Sequence, residues 1–319
     1  MIHNKEYEIT PVISIVMSVY NGAEYLKEAV ESILTQTFID FEFIIINDGS
    51  TDNSLEIIKS YADTRIIAIN QENTGLARAL NNGIRVARGK YIARMDADDI
   101  SLPERLKLQY DFLEKYPQVV VVGGNANVID KDGTYVYTSS QLLEWNLIQS
   151  RLPHTPFFHS STMYRKSSFE RVGGYPEIYR IEDVVFFNKL ARIGELRNLS
   201  DVLIKYRLTS TAVTAKSSRS DGVIIQSIML DAINGSITSA QKEKLKALTV
   251  NRSPSWKKSM YHLHISKKYL WNNFQPKLAR KNLLKSMYYN PFLLEPLVLL
   301  LFSFMSKRLI SFIYTKGKK

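Results

Sequence analysis

Ile13-Ser-Ile-Val-Met-Ser-Val19 is apolar at nearly every position and runs into Tyr20-Asn-Gly22, a turn signal. The run predicts a strand. From Glu24 to Thr35, Leu26, Ala29, Val30, Ile33 and Leu34 recur at helical spacing and predict a helix. Phe41-Glu-Phe-Ile-Ile-Ile46 predicts a second strand, which stops in Asn47-Asp-Gly-Ser-Thr-Asp52. Asp52 and Asn53 are helix-start residues for a helix over Ser54 to Tyr61. A third strand is expected over Arg65 to Ile69. Asn73-Thr-Gly75 then opens a helix from Leu76 to Ala87, and Gly89 closes it before a fourth apolar run, Tyr91 to Met95.

Strands alternating with helices at this spacing predict βαβ units and a mostly parallel sheet. Near-continuous apolar strands fit burial on both faces. Three of the strands end in small or polar groups: Ser18-Val-Tyr20, Asp48-Gly-Ser50 and Asp96-Ala-Asp98. In a parallel sheet these ends converge on one edge, where open α/β sheets bind ligands.

The fourth strand stops in three carboxylates, Asp96, Asp98 and Asp99. Such a cluster is costly unless neutralised, and a hard divalent cation on oxygen ligands would neutralise it at a site for a phosphorylated ligand. Taken alone, the triplet fits a solvated acidic loop equally well. The chain has no Gly-x-Gly-x-x-Gly and no Gly-Lys-Ser/Thr loop, which argues against dinucleotide oxidoreductases and P-loop NTPases. It has no cysteine either, which removes disulfides and thiolate metal sites and disfavours zinc.

Composition adds three points. With 319 residues, 45% hydrophobic and 23% charged, the chain has a globular make-up and can bury a large core. Its first eleven residues hold no apolar core of signal-peptide length, so a cytoplasmic location is expected. The net charge of +11 is concentrated: from Asn251 to Lys319 there are 14 Lys and Arg against the single acid Glu295, while the preceding 250 residues sum to −2. A basic segment of this kind suits an anionic membrane surface or a nucleic acid.

In that segment, Lys257, Lys258, Lys267, Lys268, Lys277, Arg280, Lys281 and Lys285 alternate with aromatic and aliphatic residues at helical spacing, as in a membrane-surface helix. Phe292 to Tyr314 is strongly apolar. Glu295, Pro296, Lys307 and Arg308 leave only Leu297 to Met305 unbroken, too short to span a bilayer, with Lys316, Lys318 and Lys319 beyond. An interfacial or re-entrant segment is expected; a helical hairpin packed on the catalytic domain with a solvated basic face, or a dimer interface of a homo-oligomer, accounts for the same pattern.

Ser18-Val-Tyr-Asn21, Asn47-Asp-Gly-Ser-Thr-Asp52, Asn73-Thr-Gly-Leu-Ala-Arg-Ala-Leu-Asn-Asn-Gly83 and Asp96-Ala-Asp-Asp99 occur in this order. Together they resemble the family 2 glycosyltransferases, inverting enzymes of the GT-A fold. The resemblance continues through Leu102-Pro-Glu-Arg-Leu106 and Val119-Val-Val-Val-Gly-Gly124 to Tyr179-Arg-Ile-Glu-Asp183, and covers about residues 12 to 210.

The resemblance implies an α/β GT-A fold, Rossmann-like, with a mixed, mostly parallel sheet. It suggests an N-terminal arm at 1–11, a catalytic domain at 12–214 and a helical basic region at 215–319. Ser18, Tyr20 and Asp48 would line the nucleoside pocket, with Asp48 accepting the uracil N3–H of a UDP-sugar. Arg78 would point toward the nucleotide, Asp96 would contact the ribose, and Asp98 would ligate Mn²⁺ or Mg²⁺ on the diphosphate, with Asp99 an outer hydrogen bonder. Asp183 would be the base, with Glu182 positioning the acceptor. His159 occupies a position near the acceptor side, which a purely structural histidine would also fill. Many relatives carry Tyr-Arg-x-His where this chain has Tyr206-Arg-Leu-Thr209, so a histidine that could reach the metal is missing and Arg207 would help hold the diphosphate.

The expected function is transfer of a hexosyl or N-acetylhexosaminyl group from a UDP-sugar to a lipid-linked or oligosaccharide acceptor, in the setting of bacterial surface polysaccharide. The enzyme would lie on the inner face of the plasma membrane and use no nucleic acid. A non-catalytic scaffold that keeps the nucleotide fold is the competing expectation.

Overall fold

Strand β1 (Ile13–Val19) is buried at every position but Ser18, as its unbroken apolar run demands. The computed structural model describes residues 10–209, 219–248 and 253–310. Most of the expected N-terminal arm, and Lys316, Lys318 and Lys319, lie outside them. α1 (Ala23–Leu34) turns Leu26, Ala29, Val30 and Ile33 inward. β2 (Phe41–Asp48) is buried throughout and reaches two residues past the apolar run that predicts it.

α2 (Ser54–Lys59) stops before the Tyr61 expected from its pattern. β3 (Ile66–Gln71) starts and ends later than expected and alternates between half-buried and exposed, because it forms the edge of the sheet. α3 (Leu76–Val86) leads to β4 (Tyr91–Asp96). β1 pairs in parallel with both β2 and β4, and β2 pairs in parallel with β3.

β5 (Ile100–Ser101), α4 (Arg105–Lys115), β6 (Val119–Ile129), β7 (Tyr135–Ser139), α5 (Trp145–Gln149) and β8 (Met163–Arg165) follow. Then come α6 (Lys166–Arg171), α7 (Glu182–Leu190) and β9 (Glu195–Arg207). The nine strands make one mixed sheet in the order β3-β2-β1-β4-β8-β6-β9-β5, with β7 paired to β6. β8 runs antiparallel to β4 and β6, and β5 antiparallel to β9. One core beneath the sheet joins Ile15, Met17, Phe43 and Met95 to α1 and α4. On the other face Val16, Ile44, Ile46 and Tyr164 pack with α3 and α7.

The chain divides into two compact units, Met1–Ala126 with Ser140–Lys205, and Asn127–Ser139 with Tyr206–Lys319. The second holds α8 (Arg219–Ile233), α9 (Ser239–Ala247), α10 (Pro254–Trp271), α11 (Pro276–Tyr289) and α12 (Leu294–Phe302). α10 and α11 form an antiparallel hairpin: Ser255 Oγ donates to Tyr289 O, Ser259 Oγ to Ser286 O, and the rings and amides of His262 and Asn282 meet at 2.8 Å. Its core takes Tyr261, Ile265, Tyr269, Leu283 and Leu299 with Val128 and Val136 of the β6–β7 hairpin. Within the second unit, α10 and α11 of the basic segment thus form a helical hairpin. Among the described residues, no helix is long and apolar enough to cross a membrane.

Candidate active site

The polar ends of β1, β2 and β4 meet as the alternation predicts. Ser18 pairs in register with Asp96 on one side and Ile46 on the other. Tyr20 follows with 55% of its surface exposed, a free ring at the sheet edge. The next residue, Asn21, has φ 51° and ties the β1 turn to the β2 turn: its N–H donates to Ser50 Oγ at 3.0 Å and its Oδ1 accepts from Thr51 N–H at 2.7 Å.

Asp52 serves the starts of two helices, since Oδ2 accepts from Ala23 N–H and Oδ1 from Ser54 N–H, both at 3.0 Å. Burial alone would raise its pKa, but the Ser54 hydroxyl and these N–H groups hold it below the usual carboxylate range.

Asp48 is 2% exposed. Its Oδ1 accepts from Gln71 Nε2, Thr74 N–H and Thr74 Oγ1, and its Oδ2 from Gly75 N–H at 2.9 Å. A carboxylate oxygen offers two acceptor directions, and Gly75 N–H takes one of those on Oδ2. Gly49 is required beside it: φ is +72°, and a Cβ there would meet Asn73 N at 2.6 Å. Arg78, on α3, makes a two-pronged ion pair with Glu177 at 3.1 and 2.6 Å, so in this state its guanidinium is engaged by the loop before α7.

One carboxylate oxygen from each of Asp96, Asp98 and Asp99 lies within 4.8 Å of the other two. This all-oxygen donor set fits a hard cation such as Mn²⁺ or Mg²⁺. Asp99 is 1% exposed and accepts from Ser160 Oγ. Asp96 is ion-paired with Arg94.

Arg94 is what the sequence reading passed over. The apolar run Tyr91 to Met95 contains a guanidinium that is 2% exposed, two residues before Asp96 and so on the same face of β4. Its Nη1 touches Asp96 without hydrogen-bond alignment, and its Nε has no hydrogen-bond partner among the described residues. Burial by itself would lower its pKa. The Asp96 carboxylate overrides that and, with Asp99, holds the pKa above the ordinary arginine value. A second buried arginine, Arg105, donates to Arg94 O at 2.7 Å and Gln109 Oε1 at 3.0 Å. Burial and then Arg94 push its pKa down to about 9, which leaves it charged at neutral pH. A cation in the middle of a strand otherwise fit for a core was the signal available.

α7 brings Glu182 and Asp183 to this cluster. Both carboxylates feel Arg94 and Asp96, so the start of α7 and the end of β4 share one electrostatic site. Burial first, then Asp183, pushes Glu182 up to about 7. Burial raises Asp183 as well, against its Val184 N–H bond at 2.7 Å and the charge of Arg94. Arg180, just before them, has φ 72°, a left-handed conformation uncommon outside glycine.

His159, in a short 3₁₀ turn, shares a 2.8 Å hydrogen bond with the Tyr175 hydroxyl. Burial, then Arg94, holds its pKa well below the usual histidine value, so it is neutral. Tyr175 also accepts from Tyr164 at 3.4 Å. Arg207 belongs to the second unit, where it is 4% exposed and donates to Lys131 O at 3.3 Å.

The raised Glu182 pKa has a sign that can be checked. The folded protein holds this proton after the unfolded chain has lost it, so stability falls as pH rises from about 4.5 to about 7. Glu182→Gln removes that dependence. The variant's stability advantage over the wild type, read from chemical denaturation, grows across the window to the order of 3 kcal/mol. A gap that stays flat with pH contradicts the assignment.

The family model for glycosyl transferase family 2 matches residues 14–173, half of the chain. The chain belongs to glycosyl transferase family 2. It is 36% identical over 215 residues to EpsE of Bacillus subtilis, spanning 65% of this chain and 77% of that protein. It is 30% identical over 211 residues to the amylovoran biosynthesis glycosyltransferase AmsE of Erwinia amylovora, spanning 64% and 79%. The crystal structure of S. aureus TarS 1-349 in complex with UDP superimposes with a TM-score of 0.55 at 18% identity, over 96% of this chain and 91% of that one. This glycosyltransferase therefore has the GT-A-like fold expected for it.

Proposed function

We propose that this family 2 glycosyltransferase is inverting and moves a hexosyl or N-acetylhexosaminyl group from a UDP-sugar to a lipid-linked or growing glycan acceptor. The proposed setting is bacterial surface polysaccharide synthesis at the inner face of the plasma membrane. The observation that carries the reaction is the shared field of Asp183, Glu182, Arg94 and Asp96: base candidate and donor-side carboxylate both face one buried arginine. The UDP bound in the TarS crystal and the name of AmsE support the UDP and polysaccharide parts of the reading.

In this reading Tyr20 stacks on the base, and Asp48 accepts the uracil N3–H through Oδ2. Ser18 lies beside Asp96, which accepts from the ribose hydroxyls. Arg78 exchanges Glu177 for the nucleotide. Asp98, with Asp96 and Asp99 close by, would hold Mn²⁺ or Mg²⁺, which when bound offsets the charge of the departing UDP.

Asp183 takes the proton of the acceptor hydroxyl as its oxygen attacks the anomeric carbon and the bond to UDP breaks, a single displacement with inversion. Burial raises the Asp183 pKa and makes it a stronger base than an exposed aspartate. Glu182, protonated for part of the neutral range, and neutral His159 orient the acceptor by hydrogen bonds.

Turnover of UDP-sugars and calorimetric binding of UDP test this together. Chelation is expected to lower turnover by an order of magnitude or more, with recovery on adding Mn²⁺. GDP should bind more weakly than UDP. A chain that binds no UDP, or turns over equally well in chelator, contradicts the donor and metal assignments.

A further inference from the structure

α12 has two unlike sides. Pro296 and Leu299 are buried against the hairpin, while Leu294, Leu297, Val298 and Leu301 are exposed. Phe304 continues the exposed series, so the spacing i, i+3, i+4, i+7, i+10 draws one stripe along the helix. Phe292, in the turn before it, is 91% exposed. Single exposed apolar side chains are ordinary; six large ones on one short segment are not, and such patches mark interaction surfaces.

The charge around the stripe selects the partner. Residues 253–310 carry ten Lys and Arg and one acid, Glu295, which is already ion-paired with Lys267. Lys277, Lys281, Lys307 and Arg308 are exposed. Arg280 fixes the rim: it donates to Ser303 O at 3.0 Å beyond the end of α12 and stands 4.5 Å over the Phe304 ring.

We propose that this face is a docking surface for an anionic lipid bilayer, with α12 lying in the membrane plane. The proposal rests on the peripheral location read above and gives it a specific face. A second copy of the chain would set two such cationic rims against each other, and a nucleic acid would leave the apolar stripe in water. An anionic bilayer satisfies both: the stripe enters the acyl boundary and the cations stay among the headgroups. α12 has nine residues, about 14 Å of helix, under half of the roughly 30 Å hydrocarbon core, so it lies along the surface.

Flotation of the full chain with phosphatidylglycerol-containing vesicles, against phosphatidylcholine vesicles, tests the proposal. The wild type is expected to float with the anionic vesicles and to detach as salt is raised. Leu297→Asp with Leu301→Asp should lower the partition constant at least tenfold, leaving far-UV dichroism and UDP binding unchanged. Lys281→Gln and Lys307→Gln should each lower it about fivefold, and they carry the test if the aspartate pair misfolds. Equal flotation of wild type and variants overturns the proposal. So does a wild type that ignores lipid but forms a dimer, by light scattering, that Leu301→Asp dissolves. A wild type that floats yet binds no UDP refutes the donor reading and leaves this face standing.

Discussion

Asp183→Asn stops glycosyl transfer while the protein still folds and still binds UDP. Asparagine keeps the size of the side chain and its place in the first turn of α7, but it cannot take the proton of an attacking hydroxyl. General-base catalysis contributes about 10²- to 10⁴-fold, so kcat should fall by that factor with the UDP dissociation constant nearly unmoved. Folding stability should not drop. The carboxylate is held in a burial that raises its pKa, and a neutral amide escapes that cost. Glu182→Gln should cost much less in kcat, because its neighbour keeps the proton-accepting position. An Asp183→Asn enzyme with wild-type turnover would move the base elsewhere, and Glu182 would be the first place to look.

Arg94→Met destabilises the first unit and disables the site together. The wild-type guanidinium is fully buried among Asp96, Asp99, Glu182 and Asp183 and offsets their repulsion. Methionine fills much of its volume but leaves the carboxylates without that cation. Removing one partner of a buried charge cluster costs about 3–5 kcal/mol. The deficit should be present at pH 7 to 8 and shrink as the pH is lowered. Glu182 and Asp183, whose raised pKa values rise further without Arg94, then protonate and need no counter-charge. Chemical denaturation across this pH range reads both the size and the sign. Arg94→Lys should recover part of the stability, since a single ammonium replaces the charge but not the planar reach of the guanidinium. Wild-type stability for Arg94→Met at neutral pH would refute the role.

Much of this enzyme was legible from the chain because its candidate site sits at strand ends. Where the apolar runs of β1, β2 and β4 stop, Tyr20, Asp48 and Asp96 follow at once, and parallel pairing must gather them on one edge. Asp99 follows in the same turn, but its bond from Ser160 joins residues 61 positions apart. Arg94 could not be placed from the pattern around it. Its strand neighbours read as core, and nothing local distinguishes an arginine that snorkels to water from one that remains buried as a counter-ion. Asp52 was legible as a helix starter for α2, but its second bond, to Ala23 at the head of α1, joins residues that are 29 positions apart.

The sequence by itself determined the alternation of strands and helices, the edge at which polar groups collect, the family, and the basic, apolar-striped end of the chain. These follow from local periodicity and from short motifs whose geometry is set within a few residues. Only the tertiary structure decided which charges share a site and in what state. It brings Asp183 to the same buried arginine as Asp96, spends most of the Asp48 carboxylate on the loop that starts α3, and leaves one side of α12 bare. Burial and long-range proximity set those outcomes. The strength of a carboxylate, the charge on a histidine and the exposure of a leucine depend on what the fold places against them.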